Sequence, residues 1–238
     1  DLAIDLPPCT IERHVVNAEK DILDGYTSLR DKLVRQIRED AFDPERAGKL
    51  FGQLAEMPSY LDRATADVGN DDFGDFSICY PESVGGGVVA SVDGKPAARI
   101  LAKEEWMLRQ VEQELAEGRN VMVFSWHLRL LPRLARLISK RTGGLVPVLN
   151  ADRVPASKRQ AWIDREVIKK GVRVLVTNPV CIQTGLNNLI HFATEIWMEN
   201  PACNPITFRQ AIGRIDRIGQ KLPSRIHFPV YSGTLQEK

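Results

Sequence analysis

The sequence has no charge excess. Its 32 Lys and Arg stand against 31 Asp and Glu, a formal net charge of +1, which excludes wholesale polyelectrolyte attraction to nucleic acid or to an anionic membrane. Any basic surface must be local. Long apolar runs are missing too: the longest greasy stretch, Val121 to Ile138, is broken by His127, Arg129, Arg133 and Arg136, whereas a spanning helix needs ~20 apolar residues. Cysteine is scarce and scattered. Cys9, Cys79, Cys181 and Cys203 form no C-x-x-C pair and have no His at ligand spacing, and His14, His127, His191 and His227 stand equally alone. No metal site and no disulfide framework is therefore expected, and reduced, cytosolic thiols are the default. The opening DLAIDLPPC has no Met, no basic n-region and no apolar h-region, so it reads as a cut from a longer polypeptide rather than a signal peptide.

Two phosphate-handling elements are also absent. A P-loop needs G-x-x-x-x-G-K-[ST], yet the Gly-Lys pairs at Gly48-Lys49 and Gly94-Lys95 are followed by Leu50 and Pro96, not by a hydroxyl. No Asp-Glu dipeptide occurs anywhere in the sequence, so there is no DEAD- or DEAH-type box to hold Mg²⁺.

What is present is an ordinary globular composition, 43% hydrophobic and 26% charged, on a chain of 238 residues, long enough to bury a core without staples. From about Arg99 onward, short β-rich runs alternate with amphipathic stretches, the pattern of βαβ units and a mostly parallel sheet. Strands are expected at Val121–Trp126, Leu145–Asn150, Val172–Thr177, Ala193–Met198 and Arg225–Tyr231, with helices at 102–117, 128–141, 155–170 and 205–217. The first hundred residues differ. Ile22, Leu23, Tyr26, Leu29, Leu33 and Ile37 make a helical stripe over Glu19–Asp40, and Pro44–Ala66 is a second helical segment interrupted at Pro58. Asp67–Pro96, with Gly85-Gly86-Gly87 and Asp93-Gly94, reads as a surface insertion carrying one hairpin at the Asp-Gly turn. The expected division is a linker strand, helical protrusion and insertion over 1–100, followed by an α/β domain over 101–238.

The most informative segment is QAIGRIDRIGQ, Gln210–Gln220. On a helix, Gln210, Arg214 and Arg217 fall at i, i+4 and i+7, so an amide and two guanidiniums share a face. Arginine's fixed fork meets phosphate oxygens bidentately and keeps its charge at any working pH. By spacing alone, the same pattern also fits a solvated basic stripe capped by Gly219. A second basic stripe, Arg129, Arg133, Arg136 and Lys140, lies opposite the Leu128, Leu131, Leu134, Leu137 and Ile138 face; it suits either a solubilising surface or one that tracks phosphates. Trp126 and Trp197 are candidates for base stacking or for the core.

QAIGRIDRIGQ resembles motif VI of superfamily-two helicases in its Swi/Snf-type version. TNPVCIQTGLNNL (Thr177–Leu189) resembles motif V, with its core at Thr184, Gly185, Leu186 and Asn187, and VMVFSWH (Val121–His127) resembles motif IV. LPPCTIERHVV, followed by a helix containing Tyr26, is similar to the Leu-Pro segment that leads into the second lobe of that family. Order and spacing agree over essentially the whole chain. Three departures stand out: Asp216 lies where remodellers of this type usually carry His, CIQTGLN replaces a Gly-rich motif V, and MENPACNP replaces an Asp-Trp-Asn-Pro run, which points to a bacterial or mobile-element branch and leaves the roles of individual motif V residues open.

The resemblance implies an α/β fold, a RecA-like parallel sheet flanked by helices (the second lobe of a P-loop NTPase-type motor) with an N-terminal helical insertion. It implies ATP with Mg²⁺ as cofactor, the metal being held by an N-terminal RecA-like lobe that lies before Asp1. Carried over residue by residue, it makes Arg214 and Arg217 the catalytic arginine fingers and assigns Gln210, Gly185, Asn187 and Gly213 to the nucleotide. Ser125, Lys158, Arg159 and Thr184, joined by Arg129 and Arg133 of the basic stripe, would contact the backbone of duplex DNA without reading its sequence. The partners implied are the first lobe and DNA, not a membrane, and the location is the bacterial cytoplasm. The chain alone would be inactive as an ATPase. Family members generally translocate without separating strands. Two alternatives remain: a non-catalytic nucleic-acid-binding or partner-docking lobe, or part of a true strand-separating or restriction-type helicase. By the same resemblance, the early strand IERHVV is expected to pair with the missing lobe and so to be left as an exposed or disordered edge here.

Overall fold

Val121–Phe124 is apolar at every position, the pattern of a strand covered on both faces. In the computed structural model it lies within a six-stranded sheet. The structure describes residues 6–56, 76–80, 82–93, 99–182, 186, 188–199 and 205–237. Its strands are β1 (Cys9–Val16), β2 (Phe76–Cys79), β3 (Val88–Val92), β4 (Val121–Phe124), β5 (Val148–Leu149), β6 (Val174–Thr177), β7 (Thr194–Trp197) and β8 (Ser224–Tyr231). The larger sheet has the order β1-β8-β7-β4-β6-β5, and β2 pairs with β3 separately. The pairs β4/β6, β4/β7, β5/β6 and β7/β8 are all parallel.

Two compact units emerge, one of residues 1–16 and 103–230, the other of residues 17–102 and 231–238. In the first, every residue of β4, β6 and β7 is buried. The helices α3 (Ala102–Ala116), α4 (Leu130–Thr142), α5 (Arg159–Ile163) and α6 (Pro205–Ile215) alternate with these strands, the α/β arrangement that the alternating pattern implies. One core cluster joins Met122, Phe124, Leu175, Trp197 and Ile226 of the sheet to Ile163, Ala211 and Ile215 of the helices. Trp197 is stacked on Phe124 at 4.4 Å between ring centroids and is 1% exposed, so it is a core residue; Trp126, half-buried, packs against the same cluster.

Two helix expectations are corrected. The helix expected over 155–170 is broken into a 3-10 turn at Ala156–Lys158, the α-helical α5 and a π-type turn at Asp164–Ile168, because Pro155 sets the entry and the last stretch widens to i→i+5 bonding. The helix expected to reach 217 ends at Ile215, leaving Arg217 in the turn that follows. IERHVV lies within β1, the outermost strand of the sheet and mostly exposed, as expected of an edge, but it is paired rather than disordered: β1 is hydrogen-bonded beside β8, and the Ser224 amide donates to the Pro8 carbonyl at 3.0 Å. Gly94, and with it the Asp-Gly turn expected to carry a hairpin, lies outside the described residues, but a hairpin turn is described nearby. It lies between β2 and β3, where Gly85, Gly86 and Gly87 have φ of +100°, +63° and +100°, a run of left-handed backbone that only glycine adopts without strain.

The second unit is built on α1 (Lys20–Glu39) and α2 (Pro44–Glu56). Ile22, Tyr26, Leu29 and Leu33 are the buried stripe of α1. Arg99 grips Asp21 with two bonds of 2.6 and 2.8 Å, the Tyr80 hydroxyl donates to the Asp40 carboxylate, and the Arg46 guanidinium sits 4.1 Å from the centre of the Tyr80 ring. The Tyr26 hydroxyl accepts from the Leu235 amide at 3.2 Å. The part of the second helical segment beyond Glu56, including Pro58, lies outside the described residues.

Candidate nucleotide and nucleic-acid site

In an open parallel sheet, ligand-handling residues collect where strands end at their carboxyl side. Here a polar residue lies one or two positions past the end of each of β4, β6 and β7. Ser125 follows β4, Asn178 follows β6 and Glu199 follows β7, and all three are buried. The Glu199 carboxylate accepts from the Ser125 hydroxyl at 2.7 Å and from the Trp126 amide at 2.9 Å. The Asn178 side-chain amide donates to the carbonyls of Ser125 and Trp126, at 3.2 and 3.0 Å, while its oxygen caps the turn after β6 by accepting from the Val180 amide. A charge buried without such partners would be costly, so this web fixes the three strand ends relative to one another. Asn178 and Glu199 were not singled out by motif; a polar residue directly after the strand was the signal available for Asn178, while Glu199 stands two positions past β7.

The motif VI residues are arranged differently. Ala211 and Ile215 carry the buried face of α6, while Gln210 and Gly213 are exposed and Arg214 and Arg217 are half-buried. Arg217 lies beside the segment that follows β6, with its guanidinium 3.5 Å from the Leu186 carbonyl. Partial burial lowers the pKa of Arg214, and the neighbouring charge of Arg217 lowers it further. Two like charges are thus held close together, an arrangement that an anion would relieve. The end of the motif is structural. Gln220 donates to the carbonyls of Phe192, Ile215 and Ile190 at 2.8, 3.1 and 3.4 Å and accepts from the amides of Lys221 and Leu222. Gly219, at φ +103°, would place any Cβ 3.2 Å from the Ile190 side chain, so the turn that positions Arg217 requires glycine.

The nucleic-acid candidates divide. Lys158 and Arg129 are exposed. Ser125 is fully buried and engaged by Glu199. Arg133 does not share an outer face with Arg129, Arg136 and Lys140: it is 6% exposed and forms two bonds, of 2.6 and 2.8 Å, with the Glu104 carboxylate of α3. Its place in the basic stripe is therefore corrected, because a guanidinium held bidentately by a buried carboxylate is not available to phosphate. Arg159, 8% exposed, is likewise turned inward, donating to the carbonyls of Val154, Val180 and Cys181 and tying the loop before α5 to the turn after β6. Thr184, Gly185 and Asn187 lie outside the described residues.

Other polar groups complete the picture. Glu195 on β7 is fully buried; desolvation raises its pKa to about 8, against the hydrogen bond at 2.8 Å from the Trp197 indole. Burial, with Asp216 and Glu195 nearby, pushes the Cys9 thiol up to about 11, which leaves it unreactive. Cys9, Cys79 and Cys181 are free thiols. The histidines are not all isolated, as their spacing suggested: His14 and His227, 213 positions apart, meet at 3.0 Å. Among the described residues, no helix is long and apolar enough to cross a membrane.

No family model matches the chain. It is 35% identical over 244 residues to the RNA polymerase-associated protein RapA of Actinobacillus pleuropneumoniae (serotype 5b, strain L20), a match covering 93% of this chain and 24% of the relative. It is 29% identical over 134 residues to RapA of Vibrio vulnificus (strain YJ016), covering 56% of this chain and 13% of the relative. The chain thus spans a quarter or less of the length of these curated relatives. In fold it is similar to the C-terminal part of the Fun30 ATPase domain, with a TM-score of 0.68 and 14% identity over 98% of this chain and 88% of that one. It is also similar to the Sulfolobus solfataricus SWI2/SNF2 ATPase core in complex with dsDNA, with a TM-score of 0.64 and 19% identity, covering 98% of this chain and 43% of that one.

Proposed function

The chain is a homologue of the RapA proteins with the fold of a C-terminal RecA-like lobe of the Swi2/Snf2 helicase type, and from that premise we propose that it is the second motor lobe of an ATP-dependent translocase on duplex DNA. The observation that carries this reading is the pair of half-buried guanidiniums, Arg214 and Arg217, held within repelling distance at the end of α6.

Phosphoryl transfer is promoted by positioning and by electrostatic stabilisation of charge on the transferred group. Arg214 and Arg217 are suited to that task, since a guanidinium stays charged and meets phosphate oxygens in a fixed fork. In this reading they reach across a cleft to a triphosphate held by an N-terminal lobe, which also holds Mg²⁺, and Gln210 and Gly213 lie on the same helix beside it. The chain by itself would not hydrolyse ATP, because its sequence has neither a P-loop nor an acidic Mg²⁺ box. Lys158, in the turn before α5, and Arg129, just before α4, are exposed and meet backbone phosphates, and Ser125, Asn178 and Glu199 tie together the ends of β4, β6 and β7. Such contacts are independent of base sequence and weaken as salt rises.

The test is DNA-stimulated ATP hydrolysis by the full-length parent protein. Arg217→Ala should lower turnover by ~10³-fold or more with an unchanged melting temperature. Turnover equal to the parent's would remove the arginine-finger assignment and leave a lobe that binds without catalysing.

A further inference from the structure

β1 and β8 are neighbours in the sheet. Glu12 and His14, two positions apart on β1, share one face, and His227 on β8 meets them there. The Nε2 of His14 lies 3.0 Å from the Nδ1 of His227 and 3.5 Å from a Glu12 carboxylate oxygen, and that oxygen is 3.7 Å from the same His227 nitrogen. Three ligand atoms thus form a small triangle. Ligands 2.0–2.1 Å from a tetrahedral zinc ion stand about 3.3–3.4 Å from one another, and the three measured separations bracket that value.

The surroundings favour the same occupant. On its other side, the Nε2 of His227 lies 3.4 Å from a carboxylate oxygen of Glu114, a side chain with no exposed surface. An Nε2–H directed at that carboxylate leaves the Nδ1 lone pair facing Glu12 and His14, and a carboxylate behind a ligating imidazole is the usual support of a metal-bound histidine. Glu114 is itself fixed by the Thr194 hydroxyl at 2.7 Å and by Arg225 at 3.1 Å. The Trp106 ring, 4.7 Å from that of His14 and 6.1 Å from that of His227, covers one flank. The other flank is open, since the Glu12 side chain is 49% exposed and that of His14 is 28% exposed, against 3% for His227. Among the described residues, this is the one group of three His, Cys, Asp or Glu side chains with ligand atoms so close together.

We propose that Glu12, His14 and His227 bind a zinc ion, with water at the fourth position, and that the ion clamps the edge strand β1 to β8. The imidazole pair selects a borderline transition cation over Mg²⁺ or Ca²⁺, which take oxygen ligands. The clamp answers a need of the fold: most of β1 is exposed, and an edge strand held along one side is the part of a sheet most prone to detach. This assignment is independent of the nucleotide reading.

The experiment is calorimetric titration of the metal-stripped chain with ZnCl₂, paired with the visible spectrum of the Co²⁺-substituted chain. Expected are about one zinc per chain, the intense ligand-field bands of a tetrahedral Co²⁺ site, and slower amide exchange in β1 when zinc is present. His14→Ala should lower affinity by more than about 100-fold, and Glu12→Gln by ~10-fold or more, while His127→Ala binds as the parent chain does. Glu12 is exposed enough that its substitution leaves the fold intact, so that variant decides the matter if His14→Ala does not fold. No zinc uptake, an octahedral Co²⁺ spectrum, or equal affinity in the folded Glu12 or His14 variants would overturn the site and leave a hydrogen-bonded histidine pair.

Discussion

Arg133 and Arg217 both belong to basic i, i+4, i+7 patterns, yet their surroundings are opposites. On α4, Arg133 is buried against the carboxylate of Glu104 and held by two short bonds. In the turn after α6, Arg217 is half-buried, and its charge adds to partial burial in lowering the pKa of Arg214. A guanidinium matched with a buried carboxylate is committed to the fold, because removing either partner strands the other charge. One set beside a second guanidinium gains most from an anion that arrives from outside. The two arginines therefore differ in the sign of a neighbouring charge, a carboxylate for Arg133 and a guanidinium for Arg217, which helical spacing does not reveal.

Several measurements would break or sharpen that contrast. The largest effect is the loss of turnover on Arg217→Ala given above, with stability untouched. Next comes its converse, Arg133→Ala, which should cost about 3–5 kcal/mol of folding stability in chemical denaturation of the chain. At low temperature, where the variant stays folded, DNA-stimulated turnover of the parent protein carrying it should match the wild type. A large turnover defect in the folded Arg133 variant would erase the distinction.

A smaller effect concerns Glu195, whose carboxyl is neutral in the folded state up to about pH 8. Its pKa is raised, so the folded state binds the proton more tightly than the unfolded chain does. Stability is then fully retained below the ordinary carboxylate range near 4.5 and declines as pH rises toward about 8. Glu195→Gln keeps the hydrogen bond from the Trp197 indole and removes the titration. It should melt higher than the parent chain at pH 8, with the gap closing by pH 4; a gap of equal size at both pH values would show that the carboxyl does not titrate in this range.

Much of the fold was legible in the sequence because buried parallel strands are often short apolar runs, as Val121–Phe124 is throughout and Val174–Thr177 is up to its closing threonine, whereas Thr194–Trp197 is buried in spite of Thr194 and Glu195. The stripe of α1 was equally plain. What could not be read from one strand or helix at a time depended on partners far along the chain. Arg133 meets Glu104 from 29 positions away and His14 meets His227 from 213 positions away, and neither distance leaves a local signature. The hairpin of β2 and β3 was missed for a different reason: Asp93-Gly94 is the stronger two-residue signal, but these strands meet across the Gly85–Gly87 run. Within the candidate site, motif spacing drew attention to Arg214 and Arg217. Asn178 and Glu199, which knit the strand ends together, are visible only once β4, β6 and β7 are seen to end side by side.

The most direct test of the central claim is a structure of the full-length parent protein with a non-hydrolysable ATP analogue and duplex DNA. The account predicts the guanidiniums of Arg214 and Arg217 within hydrogen-bonding distance of the terminal phosphate. If both side chains instead remain against the lobe, with the triphosphate contacted by neither, the account is contradicted.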